Sequence, residues 1–482
     1  MIFDVSQSLS EFFWRYSEIF LGISWVILIT GVLQNAIYMV QLPVAWKELR
    51  KQSQAGDMES DWQLLISNVT LPISLIIPAH NEESCIVQSV QSMLALEYPD
   101  FEVIVVNDGS ADRTLSILAK AFSLKLTQRA WNPVVPHKPV KGVYRSEIYT
   151  NLIVVDKESG GSKADASNAG INFSRNPLFC VVDADSILET KALLRSVRPF
   201  LEDPRHMVAV GGTIRILNGC EIQNGQVIRV GLPKNFLALV QVVEYIRAFL
   251  MGRLAWSRWG LLSIISGAFG IFKRSVAVEV GGYSLGTVGE DYELIIKMHR
   301  YLIENKRSYS MRYVPEPVCW TEGPETLKAL SSQRKRWQRG ALEVFFKHVR
   351  MFLNFRYGRM GTLALPYSFL VDVFSPIAEV LGYLLVPLFW WAGVLNTHFM
   401  LAFIATFFIF GVFISVGSLV LEEMELQRFP RARDLAIIGL VAVVENFGYR
   451  QLCNFWRVAG YYQFLRKTKG WGSLERKGVV PA

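Results

Sequence analysis

FCVVDADS, residues 179–186, joins an apolar run that favours a β-strand to two carboxylates, Asp183 and Asp185. Three similar runs precede it and alternate with helical stretches: ISLII (73–77), VIVV (103–106) and LIVV (152–155). Short β-branched strands that alternate with helices are typical of βαβ units, in which a mostly parallel sheet is buried on both faces. The sequence therefore predicts an α/β fold for this part of the chain.

Asp183 and Asp185 follow a predicted strand, and the open ends of parallel strands are where such sheets bind ligands. Side chains two residues apart on an extended backbone share a face, so both carboxylates can contact one hard cation. Mg²⁺ or Mn²⁺ held there would bridge and neutralise a diphosphate. Taken alone, however, two acids after a strand are more often a solvated turn or a helix cap.

Two more polar segments are candidates for the same site. Asp108 lies in NDGS, a typical turn sequence at the end of a predicted strand, and it could also lie near a nucleotide. Lys163 lies just ahead of a predicted helix, where a cation and helix amides could bind phosphate. The ordinary interpretation of Lys163 is a surface lysine.

Acidic and basic groups near a later helix complete the set of candidates. Glu290 and Asp291 begin a predicted helix, and acids in a first turn are common because they complement the helix dipole. A carboxylate there could instead act as a general base. QRKRW, residues 333–337, fits a basic patch beside a membrane, or an arginine on a diphosphate with Trp337 stacked on a sugar ring.

Two segments without charged residues, 19–46 and 380–421, predict membrane-spanning helices, and the second is long enough for two passes joined near Asn396. Acids precede the first span and three basic residues follow it: Lys47, Arg50 and Lys51. Because positive residues stay on the cytoplasmic side, the region from 47 to about 360 is predicted to be cytosolic. The length of 482 residues, 51% of them hydrophobic, suits a catalytic domain with several spans.

Residues 340–356 carry large apolar side chains on one helical face, which predicts a helix in the membrane interface. A core-facing helix of the cytosolic domain explains the same pattern. Beyond 435 the sequence predicts either a helix that enters the membrane and returns or a span followed by an interfacial helix.

The formal net charge of +8 indicates contact with anionic lipid and an anionic donor. No nucleic-acid-binding motif accompanies this charge, so we expect no nucleic-acid partner. The five cysteines are scattered and form no CxxC pair, which indicates neither a disulfide framework nor a zinc site.

The order of the motifs closely resembles that of the family 2 membrane glycosyltransferases, which include cellulose, chitin, hyaluronan and poly-N-acetylglucosamine synthases. The resemblance extends from about residue 72 to 340 and rests on these segments: PAHNEE (78–83), NDGSADRT (107–114), GGSKADASNAG (160–170), VVDADS (181–186), SGAFGIFKR (266–274), GEDYEL (289–294) and QRKRW (333–337). It implies a GT-A type nucleotide-sugar domain, inverting chemistry and, usually, polymer extrusion through the enzyme's own helices.

The resemblance also implies a role for each candidate residue. Asp108, Lys163 and Arg336 would bind the donor, and Asp183 and Asp185 would hold the metal and diphosphate. Asp291, with Glu290 beside it, would be catalytic, and Gln333 and Trp337 would bind the acceptor. The chain departs from cellulose synthases in having Gly289 before Glu-Asp, and it has no match to their gating loop or cyclic-dinucleotide domain.

The predicted architecture is thus an α/β GT-A type domain flanked by transmembrane and interfacial amphipathic helices. We expect these regions: a membrane anchor (1–46), the cytosolic glycosyltransferase domain (47–340), an interfacial helix (341–359), a transmembrane region (360–465) and a basic cytosolic tail (466–482). The expected location is the plasma (inner) membrane.

The leading hypothesis is a processive, inverting polysaccharide synthase that uses a UDP-sugar with Mg²⁺ or Mn²⁺. The sequence leaves the sugar and the linkage open, as well as the need for a second copy or an export partner. The alternatives are a non-processive transferase that makes a glycolipid and a non-catalytic membrane scaffold.

Overall fold

The structure is a computed structural model that describes residues 15–55, 70–223, 225–426 and 431–467. Residues 468–482, which make up nearly all of the predicted basic tail, lie outside the described residues. So do residues 1–14 of the predicted anchor.

A long helix, α1 (Ser17–Ala55), precedes a ten-stranded sheet. The strands of the sheet are β1 (Ile73–Ala79), β2 (Phe101–Asp108), β3 (Leu124–Thr127), β4 (Val140–Ser146), β5 (Leu152–Lys157), β6 (Leu178–Val182), β7 (Ile187–Leu188), β8 (Met207–Ile216), β11 (Phe269–Lys273) and β12 (Ser310–Thr321). A separate small hairpin contains β9 (Glu221–Gln223) and β10 (Gln226–Arg229).

The strand order is β3-β4-β5-β2-β1-β6-β11-β8-β12-β7. The four strands predicted from apolar runs are confirmed, and they lie side by side and parallel as β5-β2-β1-β6. β11 runs antiparallel between β6 and β8, while β8 and β12 pair in parallel. The predicted α/β fold with a mostly parallel central sheet is therefore confirmed.

Helices cover the sheet and continue toward the membrane region. They are α2 (Ile86–Leu94), α3 (Thr114–Ala121), α4 (Lys163–Phe173), α5 (Ala192–Glu202), α6 (Phe236–Tyr245), α7 (Leu254–Arg258), α8 (Arg274–Glu279), α9 (Glu290–Glu304) and α10 (Leu327–Lys347). A π-helix, Ile246–Arg253, joins α6 to α7. The buried side chains of the sheet and of these helices form one large core that also includes Ala45 and Leu49 of α1.

The carboxyl-terminal part is helical: α11 (Leu365–Ser368), α12 (Ser375–Trp391), α13 (Thr397–Ile404), α14 (Phe410–Leu426), α15 (Ala432–Val444) and α16 (Tyr449–Leu465), with π-helical turns at Met360–Ala364, Phe369–Phe374 and Ala405–Ile409. Three stretches among the described residues are long and apolar enough to cross a membrane: Ser17–Ser53, Met360–Trp391 and Thr397–Met424. A fourth is added if α15 and α16, which are bent by 55°, count as one broken span. The predicted junction near Asn396 is confirmed, because its side chain accepts a hydrogen bond from the Phe399 N–H (2.8 Å) and caps α13.

The predicted interfacial helix at 341–359 differs from the structure at both ends. α10 begins at Leu327 and ends at Lys347, and 3₁₀ turns at Val349–Met351 and Phe355–Tyr357 follow it. Part of the apolar stripe is covered by protein: Leu342 and Phe345 pack with Val373 and with Tyr461 and Phe464 of α16. Other large apolar side chains remain exposed: Phe346, Val349, Leu353 and Phe355. Each of the two interpretations therefore describes part of this segment.

Two buried ion pairs connect the catalytic region to the carboxyl-terminal helices. Arg215 on β8 pairs with Glu422 on α14, and both side chains are almost fully buried. Arg247, in the π-helix before α7, pairs with Glu445 at the end of α15. Because removing one partner of a buried pair is costly, these contacts fix the sheet relative to the apolar helices.

Candidate active site

One cavity of about 1060 Å³ lies between the sheet and the apolar helices. Its lining includes eight of the nine residues predicted to act in donor, metal, catalytic or acceptor binding: Lys163, Asp183, Asp185, Glu290, Asp291, Gln333, Arg336 and Trp337. Asp108 is not part of this lining. The same cavity continues to residues inside the three candidate spans and the bent pair, among them Gln34, Glu379 and Arg450.

Lys163 connects three parts of the cavity wall. It is the first residue of α4, and its ammonium pairs with Asp183 after β6 and donates to the Gly267 carbonyl oxygen (2.6 Å). Burial lowers the pKa of Lys163, but the carboxylates of Asp183, Glu290 and Asp291 outweigh burial and raise the pKa above its usual value. The side chain is therefore a fixed positive charge beside the metal-binding candidates.

Glu290 and Asp291 occupy the first turn of α9 in different environments. Asp291 is partly exposed, and its Oδ2 accepts a hydrogen bond from the Gly267 N–H (2.9 Å). Glu290 is buried, and burial, followed by repulsion from Asp291, raises the pKa of Glu290 to about 8. Glu290 therefore carries a proton at neutral pH, whereas Asp291 is the carboxylate that is open to the cavity.

Gly289 allows the start of α9 to approach α10 closely. A Cβ at Gly289 would lie 3.1 Å from the Gly340 Cα, and a Cβ at Gly340 would lie 3.0 Å from the Gly289 Cα. Contacts this short between backbones leave no room for a side chain. The departure of the sequence at Gly289 thus places Asp291 close to the helix that carries Trp337.

α10 presents the QRKRW segment to the cavity. Gln333, Arg336 and Trp337 line the cavity, and the Trp337 side chain is 44% exposed. Arg334 was not predicted to take part, yet its buried guanidinium lies 4.4 Å from the centroid of the Trp337 ring. Its position three residues before Trp337, on the same side of a helix, is the signal that the sequence contains.

Arg334 is held in place by two residues from other helices. Its Nη2 donates to Glu244 of α6 (2.6 Å), and the hydroxyl of Tyr449 of α16 donates to the same carboxylate (2.9 Å). Burial lowers the pKa of Arg334, but Glu244 outweighs burial and raises it further above its usual value. The guanidinium is therefore a permanent cation against one face of Trp337, and the ring position depends on α6 and α16.

Asp108 is buried at the end of β2 and contacts the loop before α4. Its Oδ1 accepts hydrogen bonds from Lys157 Nζ (2.5 Å) and from the Gly160 N–H (2.9 Å). Lys157, which is fully buried, also pairs with Asp165 (2.5 Å). Sequence analysis did not single out Lys157, although a lysine at the end of the apolar strand LIVVDK is an unusual residue to bury.

Asp183 and Asp185 suit a cation that is bound together with a phosphorylated substrate. Among the described residues, no group of three or more His, Cys, Asp or Glu side chains is arranged to hold a metal ion. Mg²⁺ is commonly bound by one or two carboxylates plus substrate phosphates and water. The two carboxylates fit that mode of binding and not a site made of protein ligands alone.

Two family models match the chain. "Glycosyl transferase family group 2" covers residues 178–414, and "Glycosyl transferase family 2" covers residues 74–135. The poly-β-1,6-N-acetyl-D-glucosamine synthases of Staphylococcus epidermidis and Staphylococcus aureus are 28% and 30% identical over 275 and 277 residues. Each match spans 57% of this chain and 56% of the relative, so the chain covers only about half the length of these relatives.

The fold is similar to that of a solved mannosyltransferase, PcManGT from Pyrobaculum calidifontis, whose structure is a complex with GDP-Man and Mn²⁺. The alignment covers 92% of this chain and all of the other, with a TM-score of 0.51 and 15% sequence identity. At that identity the similarity concerns the fold alone, and it confirms the predicted GT-A type domain.

Proposed function

Since the chain belongs to glycosyl transferase family 2, we propose that it transfers sugar from a nucleotide-diphosphate donor onto a growing polysaccharide, with inversion at the sugar C1. The observation that carries this proposal is the single cavity lined by Asp183, Asp185, Asp291 and Trp337, which continues between the apolar helices. Donor, base and acceptor groups thus share one space with a route toward the membrane.

In the proposed reaction, an acceptor hydroxyl attacks C1 of the donor sugar from the face opposite the diphosphate. The new bond joins the hydroxyl oxygen to C1, the bond from C1 to the diphosphate oxygen breaks, and Asp291 takes the hydroxyl proton. The contact from the Gly267 N–H holds the Asp291 carboxylate toward the cavity. Glu290, protonated at neutral pH, adds no second negative charge beside the base.

The leaving diphosphate would meet positive charge on two sides. Lys163 and Arg336 both line the cavity and approach Glu290 from different elements. Charge-assisted hydrogen bonds from lysine and arginine stabilise phosphate oxygens more strongly than neutral donors do. Lys163 would bind the donor, and Arg336 would stabilise the charge that develops on the departing diphosphate.

We propose that Asp183 and Asp185 hold Mg²⁺ or Mn²⁺ with the donor, as the Mn²⁺ in the PcManGT complex suggests for the fold. When bound, the cation supplies charge neutralisation to the diphosphate. Asp185→Ala should weaken metal-dependent donor binding, measured by calorimetry with UDP-sugar at several Mn²⁺ concentrations. Asp100→Ala, which removes an exposed acid, is the matched control, and equal metal dependence in both variants would contradict the assignment.

The deep end of the cavity supports export of the product through the protein. Gln34 on α1, Glu379 on α12 and Arg450 on α16 line the cavity within the apolar helices. Polar and charged side chains inside a membrane mark substrate or ion pathways because they are costly elsewhere in the bilayer. We propose that the catalytic domain lies on the cytosolic side of the inner membrane and that the growing chain leaves through this cavity.

The donor we propose is UDP-N-acetylglucosamine, because the relatives are poly-β-1,6-N-acetyl-D-glucosamine synthases. The test is incubation of the purified protein in proteoliposomes with a panel of UDP-sugars and Mn²⁺, followed by product sizing and digestion with linkage-specific glycosidases. A polymer from one donor supports the proposal. A product that stays a lipid-extractable monosaccharide adduct would establish the glycolipid alternative. Donor binding without turnover for every sugar would establish the scaffold.

A further inference from the structure

The first membrane helix forms part of the cavity wall. α1 contributes Gln34, Tyr38 and Gln41 to the lining, and residues three or four positions apart share one face of a helix. Near its cytosolic end, the α1 residue Glu48 pairs with Arg258 of α7 (3.6 Å). The face of α1 that meets the catalytic domain is therefore also the face that meets the cavity.

Gln41 is fully buried, yet its amide has no partner. Neither Oε1 nor Nε2 has a hydrogen bond of good geometry to any residue that the structure describes. A buried polar group without a partner destabilises the protein, so such groups are rare in native structures. An amide with a free donor and a free acceptor at a cavity is suited to a ligand that also donates and accepts, as a sugar hydroxyl does.

Trp256 of α7 presents a second unpartnered group to the same cavity. Its indole Nε1 is buried and has no acceptor among the described residues. The ring packs against Tyr367, with 4.5 Å between the centroids, and both residues line the cavity. An aromatic surface beside a free N–H provides the apolar body and the polar edge that a sugar ring matches.

Two other cavity-lining residues, one of them already assigned to the acceptor, show the same property. Gln333 Oε1 and Arg253 Nη1 are buried without a hydrogen-bond partner in the part of the chain that the structure describes. Four unpartnered polar groups from α1, the π-helix, α7 and α10 thus line one cavity. Their convergence indicates a site built for a ligand with several hydroxyl groups.

We propose that Gln41 and Trp256 form a binding subsite for the acceptor glycan, so that the first membrane helix is part of the substrate site and not only an anchor. The ligand class is an uncharged, polyhydroxylated sugar within the acceptor chain. This inference rests on the proposed glycosyltransferase function, and it adds two positioning residues to the acceptor side of the cavity.

The test uses the full chain with UDP-N-acetylglucosamine as donor and β-1,6-linked N-acetylglucosamine oligosaccharides as acceptor. Gln41→Leu removes the amide at similar volume, and Trp256→Phe removes the N–H but keeps an aromatic ring. Loss of one neutral hydrogen bond corresponds to a rise in acceptor KM of about three- to tenfold. Release of UDP to water without acceptor, and the donor KM, should stay at the wild-type values.

Thermal stability separates binding from a structural role. Because Gln41→Leu replaces an unpaired buried amide by an apolar side chain, its Tm should equal or exceed that of the wild type. Thr30→Val is the matched control on α1: Thr30 bonds the Val26 carbonyl oxygen within the helix and does not line the cavity, so its acceptor KM should not change.

The inference is overturned if both variants keep the wild-type acceptor KM, or if UDP release without acceptor falls in parallel with transfer. A lower Tm for Gln41→Leu would also overturn it, because the amide would then have a structural role. These outcomes differ from failure of the proposed function, in which the wild-type protein itself would release no UDP from any donor.

Discussion

Lys157→Met should destabilise the catalytic domain strongly, although Lys157 is remote from the QRKRW helix and no motif includes it. Its ammonium lies 2.5 Å from Asp108 Oδ1 and 2.5 Å from Asp165 Oδ1, and it also donates to the Glu158 carbonyl oxygen (2.6 Å). The side chains of all three charged residues are nearly or fully buried. Methionine fills a similar volume but leaves two buried carboxylates facing each other without a cation.

Removing one partner of a buried ion pair costs about 3–5 kcal/mol. For a domain of 150–250 residues each kcal/mol lowers Tm by about 2–4 °C, so we expect a decrease of about 6–20 °C. The decrease should become smaller as the pH is lowered from about 7 to 5, because protonation of either carboxylate relieves the repulsion. Donor affinity should fall too, because Asp108 holds the loop before α4 through the Gly160 N–H.

The assay is thermal unfolding of the detergent-purified protein, followed by tryptophan fluorescence over a series of pH values. Lys125→Met is the matched control, because Lys125 pairs with Glu147 at an exposed sheet edge and its side chain is 72% exposed. Its Tm should remain at the wild-type value. The reasoning would be refuted if Lys157→Met lowered Tm no more than Lys125→Met, or if its deficit were the same at every pH.

Three other substitutions test the cavity. Asp291→Asn should keep UDP-sugar binding, measured by calorimetry, and lose transfer by at least about a hundredfold, since it removes the base; near wild-type transfer would exclude the role. The pKa of Glu290 is raised to about 8, so transfer by the wild type should decline above that pH as a second charge forms beside Asp291. Glu290→Gln should lack this decline in its pH–rate profile, and an unchanged alkaline limb would assign it to another group. Trp337→Ala should shorten the polymer measured by gel sizing, whereas Trp131→Ala, outside the cavity, should not; equal lengths would remove the stacking role.

The central strands were predictable because their own residues determine them. The runs that contain Ile76, Val105 and Val154 are apolar, β-branched and bounded by polar loops, so local pattern and burial agree. β8 and β12 were harder to predict, because Gly211 and Gly212 weaken the strand signal of β8 and β12 begins with polar residues. Those strands depend on pairing partners about a hundred residues away.

The site was predictable as a list of residues but not as an arrangement. Motif order identified Asp183 and Asp291, whereas the backbone of Gly267 that contacts both Lys163 and Asp291 becomes visible only when β11 lies beside β6. The burial of Lys157 and Arg334 could not be inferred either, because each is matched by acids distant in sequence. Spacing reports which residues share a face, but it does not report which faces meet.

The bond network around Arg334 also has a consequence for biosynthesis. Arg334 and Tyr449 are 115 residues apart, and both bond to the Glu244 carboxylate. Because the ribosome makes the chain from the amino terminus, α10 is synthesised and can fold well before α16 has been inserted. Until then the guanidinium that supports Trp337 lacks one of its neighbours. The acceptor side of the cavity therefore matures last, which delays full assembly of the site until the final helix is in place.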